Sequence, residues 1–145
     1  MTFTIEQIKE IAEQLDIGFG CFIHQQTKEI IFIPDPMKFP EMEMDAWETE
    51  IEKVENDPLD FFSIEPLRSN DSFRIMRDFV ESFPDSNKFK DRLIYALNRP
   101  KPFRNFKHEI DYSDEYRQKW FDFKNQWMIN WVRRELERFD DEFIP

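Results

Sequence analysis

The chain has 145 residues, a net charge of −11, 40% hydrophobic and 17% aromatic residues, and only two glycines and one cysteine. Such a length suits one domain that buries its own core without metals or disulfides, and the hydrophobic content excludes a disordered chain despite the charge. A phosphate-cradling loop needs several glycines for close backbone approach, so Walker and dinucleotide-binding chemistry is excluded, and Cys21 has no partner for an internal disulfide.

The first helix is expected over Ile5 to Leu15, where Ile5, Ile8, Ile11, Ala12 and Leu15 recur at helical spacing. Thr4 and Gln7 form a capping-box pattern, Phe3 and Ile8 a hydrophobic staple, and Gly18 a stop. These first residues lack the basic and apolar regions of a signal peptide, and no apolar run reaches membrane-spanning length. The expected compartment is the cytoplasm, with no membrane partner.

A hairpin follows. Phe19, Cys21 and Ile23 alternate with Gly20, Phe22 and His24; after the turn Gln25-Gln26-Thr27-Lys28, the segment Glu29 to Ile33 is β-branched and aromatic, and Pro34 and Pro36 end it. Glu41 to Asn56 reads as an amphipathic helix with Met44, Trp47, Ile51 and Val54 on one stripe and Glu43, Glu48, Glu50, Glu52 and Glu55 off it. Leu59 to Ile64 is a third short strand.

The C-terminal half is helical. Ser69 or Asp71 is expected to cap a helix carrying Phe73, Met76, Phe79 and Val80, which Pro84 ends. A second helix runs from Ser86 to Asn98, and a short third starts at Pro100 and Pro102, with Phe103, Phe106 and Ile110 on its inner side. Ser113 caps the longest helix, to about Arg138, and Phe139 to Pro145 reads as a frayed acidic tail. The pattern predicts one α+β domain over residues 1–145: a two- or three-stranded antiparallel sheet packed by about six helices.

Four constellations invite a functional reading. On the last helix, Tyr116, Trp120, Phe123, Trp127 and Trp131 share one face, which Phe121, Met128 and Val132 widen. A core-facing stripe is the simpler account, and Tyr116, Trp120, Trp127 and Trp131 are the candidates for an interface in a monomer-or-homodimer protein. From Lys88 to His108, seven Lys and Arg oppose one acid, Asp91, for a local +6 in an acidic chain. Arg99, Lys101, Arg104, Lys107 and His108 are the candidate binding residues there, able to hold a phosphate or carboxylate unless the chain's own acids pair them.

The two histidines, His24 and His108, have no metal-like spacing, so neither a metal nor a cofactor is expected. His108 is the weak catalytic candidate, with Arg99 and Arg104 to hold a phosphate in a hydrolase or nuclease. The acidic stretch Glu41 to Asp60 reads as a solvated face, or its Glu41–Asn56 helix as a nucleic-acid mimic that binds basic proteins. Nucleic acid is disfavoured as a partner by the surrounding acidity.

The segments Ile30-Ile31-Phe32-Ile33-Pro34-Asp35, Phe61-Phe62-Ser63-Ile64-Glu65-Pro66-Leu67 and Ser72-Phe73-Arg74-Ile75-Met76-Arg77-Asp78-Phe79-Val80 follow one another in an order that, with Pro102-Phe103-Arg104-Asn105-Phe106-Lys107 and Trp120-Phe121-Asp122-Phe123, resembles a bacterial family catalogued as uncharacterised protein family 0158. The resemblance spans most of the chain from the hairpin onward. It implies a bacterial cytoplasmic protein and supplies no activity and no catalytic residues. One departure is the hairpin turn, where the family often has Gly and this chain has Gln25-Gln26-Thr27-Lys28. The leading expectation is a non-enzymatic binding or regulatory module whose basic helix face holds an acidic protein or a small anionic ligand.

Overall fold

The computed structural model describes residues 3–143. Among these residues six α-helices and three strands run in the order α1 (Ile5–Ile17), β1 (Phe19–His24), β2 (Ile30–Pro34), α2 (Glu48–Asn56), β3 (Phe61–Ile64), α3 (Ser69–Glu81), α4 (Lys88–Leu97), α5 (Pro102–Asp111) and α6 (Asp114–Phe143). They form two compact units. One takes the described residues up to Leu67 and from Met128 onward; the other is Arg68–Trp127.

In the first unit, α1 begins at the expected capping box: Thr4 Oγ1 accepts from Gln7 N–H at 3.1 Å, and Gln7 Oε1 accepts from Thr4 N–H at 2.9 Å. It ends at Gly18, whose φ of 107° is open to glycine at no steric cost. Ile8, Ile11, Ala12 and Leu15 are its buried residues. The sheet is antiparallel in the order β2-β1-β3, so β1 is central. Cys21 lies opposite Phe32 on one side and Ile64 on the other; it and Ile23 are fully buried.

The glycine-free turn closes by other means. Lys28 takes the left-handed conformation (φ 65°) that glycine would fill, and its Nζ donates to the Gln25 carbonyl. His24 Nδ1 accepts from the N–H groups of Gln26 and Thr27 at 3.1 and 3.2 Å, which places the ring proton on Nε2. His24 is therefore a turn-closing residue.

Two expectations change here. The helix expected from Glu41 is a 3-10 turn over Met44–Trp47 followed by α2. Trp47 sits at φ −112°, ψ 15°, outside the helical region, and its ring packs edge-on against Phe19 at 5.9 Å. That tertiary contact outweighs local helical preference at the junction. The acidic tail is not frayed at its start: α6 continues to Phe143, and Phe139 is fully buried, its ring 5.3 Å from Phe62.

In the second unit, the core is Met76, Phe79, Val80, Leu93, Phe106 and Ile110, with Phe89, Tyr116, Trp120 and Phe123 packed against it. Helix α3 is capped at Arg68 rather than Ser69 or Asp71; Asp71 instead accepts from the Arg68 N–H at 3.3 Å. Helix α4 starts later than Ser86, because the Asn87 side chain accepts from Phe89 and Lys90 N–H at 2.8 and 3.1 Å and so fixes the first turn.

Helix α6 changes its buried face along its length. Tyr116, Trp120, Phe123 and Trp127 are half-buried on one side of the first part. Met128, Val132, Leu136 and Phe139 are buried in the second part, on a side roughly 140° further round at 3.6 residues per turn. Phe121 has the phase of the second set but lies in the first part, where it is 59% exposed instead of widening the aromatic stripe.

Candidate functional site

Helices α4 and α5 form a hairpin joined by Asn98-Arg99-Pro100-Lys101. Asn98 closes α4, its side-chain amide donating to the Ile94 carbonyl at 2.9 Å. Pro100 cannot continue the helix, and Lys101 turns the chain in a left-handed conformation (φ 62°, ψ 57°). Pro102 then occupies the first position of α5, where its missing N–H costs no helical bond. Asn105 reaches back from α5, donating to the carbonyls of Pro100 at 2.9 Å and Ala96 at 3.4 Å. Arg92 Nη2 lies 2.9 Å from Glu109 Oε2, an ion pair off the hydrogen-bond axis that braces α4 against α5.

The remaining cations divide sharply. Lys90 Nζ donates to the Phe83 carbonyl at 2.9 Å and to Asp85 Oδ1 at 2.8 Å, and this hydrogen bond and charge hold the Asp85 carboxyl below its usual range. Arg99, Lys101, Arg104, Lys107 and His108 are all exposed. Among the described residues, no carboxylate forms an ion pair with any of these five. The reason is in the sequence: Arg92 to His108 contains no Asp or Glu, and the flanking Glu109 is held by Arg92.

The hairpin also presents aromatic surface. Tyr95 is 65% and Phe103 43% exposed, and the Arg99 guanidinium sits 4.9 Å over the Tyr95 ring. Phe103 was expected on the inner side with Phe106 and Ile110. It shares their side of α5 but lies in the first turn, outside the core cluster, so only Phe106 and Ile110 are buried. Tyr95 points away from Leu93 and Ala96, a phase legible in the sequence; the exposure of Phe103 was not.

The His108 ring stands edge-on to exposed Tyr112 at 4.8 Å and hydrogen-bonds to no described residue. Of the aromatic candidates, Tyr116 stacks on Phe89 at 4.0 Å, and Trp120 meets Phe106 edge-on at 4.8 Å. Trp127 Nε1 donates to Asp78 Oδ2 at 3.3 Å, and Trp131 is half-buried.

Charge separates with the two units. Residues 68–127 carry thirteen Lys and Arg against ten Asp and Glu, a net +3, while the rest of the sequence carries seven against twenty-one, a net −14. The segments that line this hairpin are family segments, since the model of an uncharacterised protein family, UPF0158, matches residues 1–143. The chain belongs to the UPF0158 family. A UPF0158 protein of Pseudomonas aeruginosa, PA5073, is 28% identical over 139 residues, covering 95% of this chain and 84% of its own. No solved structure matches the chain. No helix among the described residues of this UPF0158 protein is long and apolar enough to cross a membrane.

Proposed function

We propose that this UPF0158 protein is a non-enzymatic binding module whose α4–α5 hairpin holds an acidic protein surface. One observation carries the reading: Arg99, Lys101, Arg104 and Lys107 are exposed and unpaired among the described residues, on a hairpin braced by Asn105 and by the Arg92–Glu109 pair. A rigid cationic surface loses little freedom on docking, and its charge steers an acidic partner into register. The first turn of α5 contains no acid, so its helix dipole adds to the attraction. Half-exposed Phe103 and Tyr95 supply apolar contact beside the charges. A single buried thiol fits a reducing compartment, and the module acts in the cytoplasm.

The test uses a labelled oligo-glutamate peptide and fluorescence anisotropy at low salt. Arg104→Glu with Lys107→Glu weakens binding at least about tenfold, with an unchanged circular dichroism spectrum because both residues are exposed. Arg74→Glu with Arg77→Glu, the same charge change on α3, leaves binding within about twofold. Equal losses in the two variants, or wild-type binding by the first, overturn the reading.

A further inference from the structure

The hairpin's partner is identified by a second surface of the same sequence. Helix α2 carries Glu48, Glu52 and Glu55 in one strip, all exposed, and none forms an ion pair among the described residues. Lys53 is the only Lys or Arg between Lys38 and Arg68, and it is occupied by Glu29 at 2.8 Å. The strip therefore has no cation of its own neighbourhood to meet. Helix α2 also has no fully buried residue: Ile51, which adjoins the strip, is only half-covered. On α5, half-exposed Phe103 adjoins Lys107 in the same way.

The two strips are comparable in length and opposite in polarity. Glu48 to Glu52 spans about 6 Å and Arg104 to Lys107 about 4.5 Å at 1.5 Å per residue. Laid antiparallel, Arg104 faces Glu52 and Lys107 faces Glu48. This arrangement sets the positive N-terminus of α5 beside the negative C-terminus of α2, so the helix dipoles attract as well. Both strips would cover a half-exposed apolar side chain, Ile51 on one and Phe103 on the other.

We infer that the acidic surface held by the α4–α5 hairpin is the α2 face of a second copy of this chain, in a head-to-tail association. The inference rests on the hairpin being a docking face, as proposed above, and adds the occupant. The contact is heterologous, because different surfaces of the two copies meet, so each copy retains one donor and one acceptor face for further copies. Like net charge does not forbid it: at about 0.1 M salt the screening length is about 10 Å, so charges within that distance of the contact outweigh those beyond it.

A charge-swap experiment read by sedimentation velocity decides the matter. The wild-type protein sediments above its 17.9 kDa monomer mass at about 50 mM salt and returns to monomer at about 0.5 M. Arg104→Glu with Lys107→Glu is monomeric at both salts, and so is Glu48→Lys with Glu52→Lys, each losing at least about tenfold in association. An equimolar mixture of the two variants regains assemblies, because the reversed α5 of one meets the reversed α2 of the other and the two native strips also pair. A mixture that stays monomeric overturns the inference. So does a wild-type protein that is monomeric throughout while binding oligo-glutamate, a result that leaves the docking reading intact. A monomeric wild type that binds a labelled single-stranded oligonucleotide and not oligo-glutamate overturns both.

Discussion

Cys21 sits at the centre of the sheet, fully buried between Phe32 and Ile64 on the neighbouring strands. Burial pushes its thiol up from 9.0 to about 12, and the nearby Glu10 charge adds to the effect. A thiol whose pKa is raised by folding binds its proton more tightly in the native state. Its contribution to stability is therefore complete below about pH 9 and is lost as pH climbs toward 12. Linkage gives a loss of roughly 1 kcal/mol by about pH 10 and nearly 3 kcal/mol by about pH 11. That is a large fraction of the 5–15 kcal/mol typical of a domain. The perturbation is Cys21→Ala, compared with wild type by urea unfolding from about pH 7 to pH 11. The variant starts less stable by about 1 kcal/mol through the lost packing, and the gap then closes and reverses as pH rises. Other groups that titrate in this range are common to both proteins and cancel in the difference. The thiol of the native protein also resists a disulfide exchange reagent near pH 8 and reacts fully once unfolded. Parallel stability curves for the two proteins, or fast native labelling, would refute the account of a desolvated thiol.

Gly18→Ala is destabilising by about 1–3 kcal/mol in urea unfolding, since the residue must hold φ 107° and its new Cβ would stand 3.0 Å from the Phe39 ring and 3.1 Å from Lys38 Cβ. Phe106→Ala costs about 3–5 kcal/mol because its ring is buried against Phe79 and Trp120, whereas Phe121→Ala changes stability by less than about 1 kcal/mol. Thermal unfolding of the pair checks this contrast, and equal losses would refute the placement of Phe106 on α5 in the core and of Phe121 on α6 in water.

Much of the local structure was legible because its causes are local. The capping box at Thr4 and Gln7, the left-handed stop at Gly18, the alternation around Cys21 and the helix start at Pro102 each depend on residues within one turn or strand. The cationic run from Arg99 to Lys107 was equally visible, and its lack of nearby acids is a property of the sequence itself. Readings that failed were those in which a distant residue decides. Trp47 leaves the helical region where its ring meets Phe19, and Phe139 is core because Phe62 waits for it. Both partners are remote in sequence, so no window of local pattern contains them.

Helix α6 shows the same limit over a longer span. Its periodicity announced a helix with aromatic surface, yet periodicity gives only the angle between side chains, not which side meets a core at a given height. The sequence alone therefore determined that Phe121, Trp120 and Val132 stand on one helix. Tertiary structure decided that Trp120 and Val132 bury different sides and that Phe121 faces water. Charge behaves likewise: the order of residues set the +6 of the basic segment and the lack of acids from Arg92 to His108, but only folding decided that Arg92 would meet Glu109 on the next helix. An ion pair needs two groups within about 4 Å, and that distance is a property of the folded chain, not of the order of its residues.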